Sequence, residues 1–184
     1  YLHVDAAQGF GKDIVPLTSK RIDFISISAH KIYGPKGVGA LIARCSGFNR
    51  APLQPLVYGG GQERGLRPGT LPVPLIAGLG EAARLALAEH ASRRKACLAF
   101  RQKVLAAIEP LAPLINGDPG RTMPHVLNLS IPGVDSEAVM VALKGLIAIS
   151  NGSACTSATY KPSHVLQAMG LPLDRIQQAL RISW

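Results

Sequence analysis

Two side chains in this sequence of 184 residues are suited to nucleophilic chemistry. Lys31 ends the run S-I-S-A-H-K after a predicted strand, where a lysine can form a Schiff base with an aldehyde cofactor if burial or a neighbouring cation favours its neutral form. Cys155 lies in G-S-A-C-T-S, among residues too small to bury it, which indicates an exposed, reactive thiol. An exposed turn lysine and an incidental surface cysteine are the alternative interpretations.

Polar groups that could hold an anionic, aromatic ligand accompany the lysine. Asp5 ends an apolar run in V-D-A-A-Q, and a carboxylate there can hold a protonated ring nitrogen, although an aspartate after a strand is more often a cap or turn residue. Ser28 and His30, next to Lys31, could bind a phosphate. These residues therefore predict a ligand site at the carboxyl ends of neighbouring strands.

A third motif is the glycine-rich segment 59–70, G-G-G-Q-E-R-G-L-R-P-G-T. Its glycines allow the backbone to approach a ligand or a neighbouring subunit closely. Arg64, Arg67 and Thr70 offer contacts to an anion. A surface loop without a ligand is the alternative.

The hydrophobic pattern predicts the elements that position these residues. Strands are expected at residues 2–5, 21–28 and 37–43, two helices or one broken helix at 74–109, a strand at 125–131, a helix at 135–146, a strand at 146–150, a helix from about 162, and a strand at 181–184. The first strand is expected to be buried. Alternating strands and helices predict an α/β fold with a mostly parallel sheet, followed by a smaller α+β unit.

Composition narrows the functional class. The net charge of +9 is scattered and aromatic residues make up only 5%, which favours a solvated surface or a small anionic ligand over a nucleic-acid face. Cys45, Cys97 and Cys155 lack metal-ligand spacing, so no metal site is expected. Sparse, odd cysteines fit a reducing compartment, and we predict a cytoplasmic protein. No apolar run reaches the roughly 18 residues that span a bilayer.

The four motifs, in this order, resemble the fold-type-I pyridoxal-phosphate (PLP) enzymes and, among them, the cysteine desulfurases. The resemblance covers essentially the whole chain, and the long G-S-A-C-T-S segment is similar to the class that serves iron–sulfur or thio-modification pathways. It implies that residues 1–90 form the C-terminal part of the PLP-binding large domain and that residues 91–184 form the small domain with the cysteine loop. The motifs that precede V-D-A-A-Q in complete members, and their C-terminal tail, are absent, so we expect a fragment.

The resemblance also implies how the cofactor is held. Lys31 would bind PLP covalently and move protons, and Asp5 would pair with the pyridinium nitrogen. Gln8 would hydrogen-bond the phenolic oxygen of the ring, while Ser28 and His30 would hold the phosphate.

Substrate and partners follow from the same resemblance. Arg181, in R-I-S, would bind the carboxylate of L-cysteine. Cys155 would attack the substrate sulfur, giving alanine and a persulfide that passes to an acceptor protein. Thr70 would reach the phosphate of the partner subunit's cofactor, which implies a homodimer.

Two other functional classes stay open at this point. Another PLP enzyme of the same fold, such as an aminotransferase or lyase, would tolerate loss of Cys155. A basic, non-enzymatic module for binding nucleic acid or a protein partner is the other class; it predicts salt-dependent DNA binding and no cofactor. Within the desulfurases, Asn151, Tyr160 and the ending R-I-S-W faintly resemble enzymes of DNA phosphorothioation, with iron–sulfur cluster assembly as the alternative.

Overall fold

The computed structural model describes residues 1–46, 49–50, 52–151 and 162–184. The chain comprises two compact units, Tyr1–Ala91 and Ser92–Trp184. Cys155 and Tyr160, which the sequence analysis singled out, lie outside the described residues. Among the described residues, no helix is long and apolar enough to cross a membrane.

The first unit is built on a three-stranded sheet in the order β1 (His3–Asp5), β2 (Phe24–Ser28) and β3 (Gly39–Ala43). Strand β1 runs parallel to β2, and β2 runs antiparallel to β3. A connection over residues 29–38 is too short for the crossover that a parallel neighbour needs, so β3 returns antiparallel. Strands β4 (Cys45–Ser46) and β5 (Asn49–Arg50) form a separate antiparallel pair.

The expected burial of the first strand is wrong. His3 and Asp5 are exposed and Val4 is half-buried, because β1 is a short strand at the edge of this sheet. The core of the unit lies elsewhere, where a 3-10 turn (Ala29–Ile32) meets a long helix.

Of the two arrangements expected across residues 74–109, two helices or one broken helix, the structure shows two helices. Besides the short α1 (Ile14–Leu17), the chain forms α2 (Val73–Ala88) and α3 (His90–Ile108), which crosses the division between the units. Ile32 of the 3-10 turn packs in one apolar cluster with α2. The other members of this cluster are Phe10, Leu79, Ala82, Ala83 and Ala86.

The second unit is an antiparallel sheet in the order β6 (Leu114–Ile115), β7 (Val126–Ser130) and β8 (Ala179–Ser183). Leu127 and Leu129 alternate with polar residues along β7 and are buried, as the period of a strand with one apolar face requires. The described helices of this unit, after α3, are α4 (Ser136–Ala142), α5 (His164–Ala168) and α6 (Leu173–Gln177). Asp135 caps α4 by accepting a hydrogen bond from the Ala138 amide at 2.9 Å.

Two expectations for the second unit are wrong. Residues 146–150 do not form a strand: Leu146 and Ile147 are exposed, and only Ser150 makes a single bridge, to Arg181. Helix α4 also ends at Ala142 rather than near 146, and Gly145 follows it with φ of 87°. A short apolar run is therefore not by itself enough to form a strand, since here only its last residue pairs with β8.

Candidate active site

Asp5 and Ser28 lie at the same end of the first sheet, where the parallel strands β1 and β2 both finish. Asp5 is the last residue of β1 and pairs in parallel register with Ser26 of β2, which ends two residues later at Ser28. The Ala7 amide donates a hydrogen bond to Asp5 Oδ1 at 3.0 Å, which fixes the carboxylate at the start of the following turn. Asp5 as a whole is exposed.

Lys31 lies in the 3-10 turn that follows β2. Ala29 and Ile32 are 0% and 3% exposed and anchor the turn on both sides of the lysine. Tyr33 then adopts the left-handed conformation (φ 67°), and the Gly34 amide donates to the Ala29 carbonyl at 2.9 Å. The anchored backbone presents His30, which is exposed, and Lys31, which is half-buried.

Gly34 lets α2 lie close to this turn. A Cβ at this position would lie 3.0 Å from the Ala29 carbonyl oxygen and 3.0 Å from Ala82 Cβ. The glycine in Y-G-P-K therefore holds the lysine turn against the helix, a packing role that the sequence analysis did not assign to it.

The remaining predicted ligands of the first unit lie in surface turns. Gln8 is exposed in the turn after β1, where the Ala6 carbonyl accepts hydrogen bonds from the Gly9 and Phe10 amides. Thr70 is exposed at the end of the glycine-rich segment.

That segment is shaped by its own hydrogen bonds. It contains a 3-10 turn (Gln62–Gly65) in which Glu63 and Arg64 have positive φ values of 50° and 60°. The Gln62 side-chain oxygen accepts a hydrogen bond from the Gly69 amide at 3.1 Å, closing the loop just before Thr70. The hydrogen bond that closes the loop shows why its conformation is defined.

In the second unit, Arg181 lies within strand β8 and pairs with the first residue of the cysteine motif. Its backbone pairs with Asn128 of β7 on one side. On the other side, the Arg181 amide donates to the Ser150 carbonyl at 2.5 Å, and the Ser150 amide donates to the Arg181 carbonyl at 3.1 Å. The predicted substrate arginine and the residue that opens S-N-G-S-A-C are thus neighbours across a β-bridge.

A buried polar network beside Arg181 was missed by the sequence analysis. Arg175 Nε donates to Asn116 Oδ1 at 2.8 Å, and Asn116 Nδ2 donates to Asn128 Oδ1 at 2.8 Å and to Ser130 Oγ at 2.9 Å. The Ser130 hydroxyl in turn donates to the Arg175 carbonyl at 2.7 Å. Polar residues alternating with Leu127 and Leu129 were the available signal, but alternation alone suggests a solvated face.

An exposed ion pair lies on α2. On α2, Arg84 donates two hydrogen bonds to Glu81, at 2.8 and 2.6 Å. The hydrogen bond from Arg84 lowers the pKa of the Glu81 carboxyl, and both side chains are exposed. No cluster of three metal-ligand side chains occurs within the described residues.

The first unit thus carries a lysine turn at the carboxyl ends of two parallel strands, and the second unit carries the residues that lead into the cysteine motif. The chain belongs to the aminotransferase class-V family, whose model matches residues 1–184. This confirms the family resemblance that the motifs indicated.

Individual relatives narrow the likeness within that family. The chain is 46% identical over 183 residues to a protein named cysteine desulfurase IscS from Aeromonas salmonicida, covering 99% of this chain and 45% of that protein. It superposes on the crystal structure of DndA from Streptomyces lividans with a TM-score of 0.84 and 49% identity, covering 100% of this chain and 52% of DndA. A structure titled SspA in complex with cysteine gives a TM-score of 0.70 at 37% identity, over 98% of this chain and 49% of SspA.

These similarities confirm the predicted α/β fold, that of the fold-type-I cysteine desulfurases. The chain spans about half the length of the relatives that it matches. What the whole protein does is therefore a matter for proposal.

Proposed function

We propose that this chain carries part of the active site of a PLP-dependent cysteine desulfurase, which converts L-cysteine to L-alanine. The observation that carries the proposal is the placement of Asp5 and the Lys31 turn at the adjacent carboxyl ends of β1 and β2. Ligands of open α/β sheets bind at this kind of edge. The relatives named cysteine desulfurase support the same reaction.

The groups at this edge fit PLP chemically. The cofactor has a pyridinium nitrogen, a phenolic oxygen, an aldehyde and a phosphate. The exposed Asp5 carboxylate suits the first, the Gln8 amide the second, the Lys31 amine the third, and the Ser28 hydroxyl and His30 ring the fourth. When bound, PLP would act as an electron sink at the substrate carbons.

The chain's own residues would then divide the work as follows. Arg181 orients L-cysteine through its carboxylate, for which a guanidinium offers two parallel N–H donors. Lys31 Nζ holds the cofactor and moves the proton at the substrate Cα. The Cys155 thiolate attacks the substrate sulfur, and the C–S bond electrons return to the substrate carbon, which is protonated and leaves as alanine.

The sulfur would remain on Cys155 as a persulfide for transfer to an acceptor protein. The sulfur would serve either iron–sulfur cluster assembly or DNA phosphorothioation. Both pathways are proposed because the relatives include proteins named IscS and DndA. A cytoplasmic location is proposed with this function, and it rests on the sparse cysteines of the sequence.

A homodimer is part of the proposal. Leu56, Val57 and Tyr58, just before the glycine-rich segment, are 98%, 66% and 79% exposed. Such a patch of exposed apolar side chains is typical of an interaction surface. We place Thr70, at the end of the same segment, against the phosphate of the partner subunit's cofactor.

The test uses the full-length protein, supplied with L-cysteine and a reductant, with sulfide and alanine measured for wild type and for Cys155→Ser. Sulfide and alanine from wild type, with sulfide lost and the yellow cofactor retained in the variant, would support the proposal. Equal turnover in both would remove Cys155 from the mechanism and favour another PLP reaction. If neither protein showed the colour of the cofactor, the role of Lys31 would be overturned. The alternative of a basic, non-enzymatic binding module would then be favoured.

A further inference from the structure

Four residues form one row across the second sheet. The backbone N–H of Asn116 donates to the backbone carbonyl of Asn128 at 2.9 Å. Asn128 is in turn the register partner of Arg181, which forms a β-bridge with Ser150. Directly opposed residues of antiparallel strands share a face, with their Cβ atoms about 4.5–5.5 Å apart. The side chains of Asn128 and Arg181 therefore leave the sheet side by side.

The hydrogen bonds of the network fix which way the Asn128 amide is turned. Arg175 Nε can only donate, so the Asn116 atom that it meets at 2.8 Å must be the oxygen. Asn116 then offers its NH2 group to Asn128, which must answer with its own oxygen, at 2.8 Å. This leaves Asn128 Nδ2, with two N–H donors, as the end of the amide that the network does not use.

The Nδ2 group of Asn128 has no hydrogen-bond partner among the described residues. Asn128 is half-buried. Its Nδ2 group is therefore partly accessible, because no described side chain has a fully buried polar atom without a hydrogen bond. An oriented pair of donors thus lies next to Arg181, at the accessible end of an otherwise saturated network.

We propose that Asn128 Nδ2 is a second ligand of the substrate carboxylate, donating a hydrogen bond to the anion that Arg181 binds. This inference rests on the carboxylate-binding role of Arg181 in the proposed function. A carboxylate has about four lone-pair sites, of which a guanidinium fork uses two, so a neighbouring amide N–H finds an acceptor. Arg175 and Asn116 act as positioning residues, because they determine that nitrogen rather than oxygen is presented.

The test is a binding titration of the full-length, PLP-loaded protein followed by visible absorbance. L-alanine carries the carboxylate, whereas cysteamine has an amine and a thiol but no carboxylate. Asn128→Asp keeps the oxygen that accepts from Asn116 and replaces the donor with an anionic acceptor. We expect it to weaken L-alanine binding by at least about tenfold, the loss expected for a hydrogen bond to a charged group, and to leave cysteamine binding within about twofold.

Ser130→Ala is the matched control, since it removes a member of the same network and leaves Asn128 Nδ2 in place. It should keep the L-alanine affinity within about threefold of wild type. If Asn128→Asp does not fold, Asn128→Ala removes the same donor without adding charge, and the same tenfold loss is expected.

Unchanged L-alanine affinity in the Asn128 variant, or an equal loss for both ligands, would overturn the inference. Failure of the proposed function gives a different result: wild type would bind L-alanine but release no sulfide from L-cysteine. A wild type that binds neither amine would sink both proposals.

Discussion

The turn that carries Lys31 in the first unit and the row of residues that includes Arg181 in the second unit hold their polar groups by opposite means. Lys31 is carried by a 3-10 turn in which Ala29 and Ile32 are buried, so apolar packing fixes the backbone. Its side chain has no hydrogen-bond partner among the residues that the structure describes. Arg181 lies within a sheet, beside a network in which buried polar atoms satisfy one another. The proposed proton-transfer group is thus held by its backbone alone, while the groups proposed to bind an anion are oriented by hydrogen bonds.

The comparison predicts that function and stability can be separated at the lysine turn. Lys31→Ala should reduce desulfurase activity by at least about a thousandfold, because the covalent attachment and proton transfer are lost. Thermal unfolding should change little, since the turn is anchored by other residues. Lys36→Ala, in the exposed part of the same segment, is the control and should retain activity within about twofold. Comparable losses from both lysines would contradict the assignment.

The apolar anchor should show the reverse behaviour. Ile32→Ala removes buried carbon between the turn and α2 and should lower the free energy of unfolding by about 3 kcal/mol. Urea unfolding of the full-length protein measures this, with Ile147→Ala, at a position 54% exposed, as the matched control. A loss as small as that of the control would mean that the turn does not depend on this packing.

The polar network of the second unit should resist apolar replacement. Asn116→Leu leaves Arg175 Nε without its acceptor and should lower the free energy of unfolding by about 2 kcal/mol. Gln177→Leu likewise replaces an amide side chain with leucine, at an exposed position, and serves as the control. If Asn116→Leu is neutral or stabilising by urea unfolding, the network contributes orientation alone.

The smallest effect is expected at the exposed pair on α2. Because Arg84 lowers the pKa of the Glu81 carboxyl in the folded state, the pair stabilises the protein above the ordinary pKa of 4.5, and this contribution is lost as the pH falls through the lowered value. The difference in Tm between wild type and Glu81→Gln should therefore be small at pH 7 and vanish in acid. It should also shrink in high salt. A difference that grows in acid would show the opposite sign of coupling.

Much of the first unit could be predicted from the sequence because its signals are local. The alternation in R-I-D-F-I-S-I-S predicts β2, and the turn residues of Y-G-P-K predict where the lysine segment ends. The roles of Asp5, Lys31 and the other candidate ligands remain predictions, as does the assignment of residues 1–90 and 91–184 to a PLP-binding large domain and a small domain.

The second unit was harder to predict because short segments depend on their neighbours. Helix α6 is five residues long, too short for a periodic signal, and was not anticipated. Residues 146–150 have a strand-like composition but make only the bridge at Ser150. Pairing across a sheet, unlike a turn, needs a partner from elsewhere in the chain.

The sequence by itself determined the family, the fold class and the residue types able to carry the chemistry. Each of these can be recognised from short motifs of consecutive residues. Only the tertiary structure decided that Asn116, Asn128, Arg181 and Ser150 lie in one row, since they come from segments far apart along the chain and are aligned by strand register. The direction of the Asn128 amide follows from the same cause. It depends on a hydrogen bond from Arg175, and a donor's position in space cannot be read from its position in the sequence.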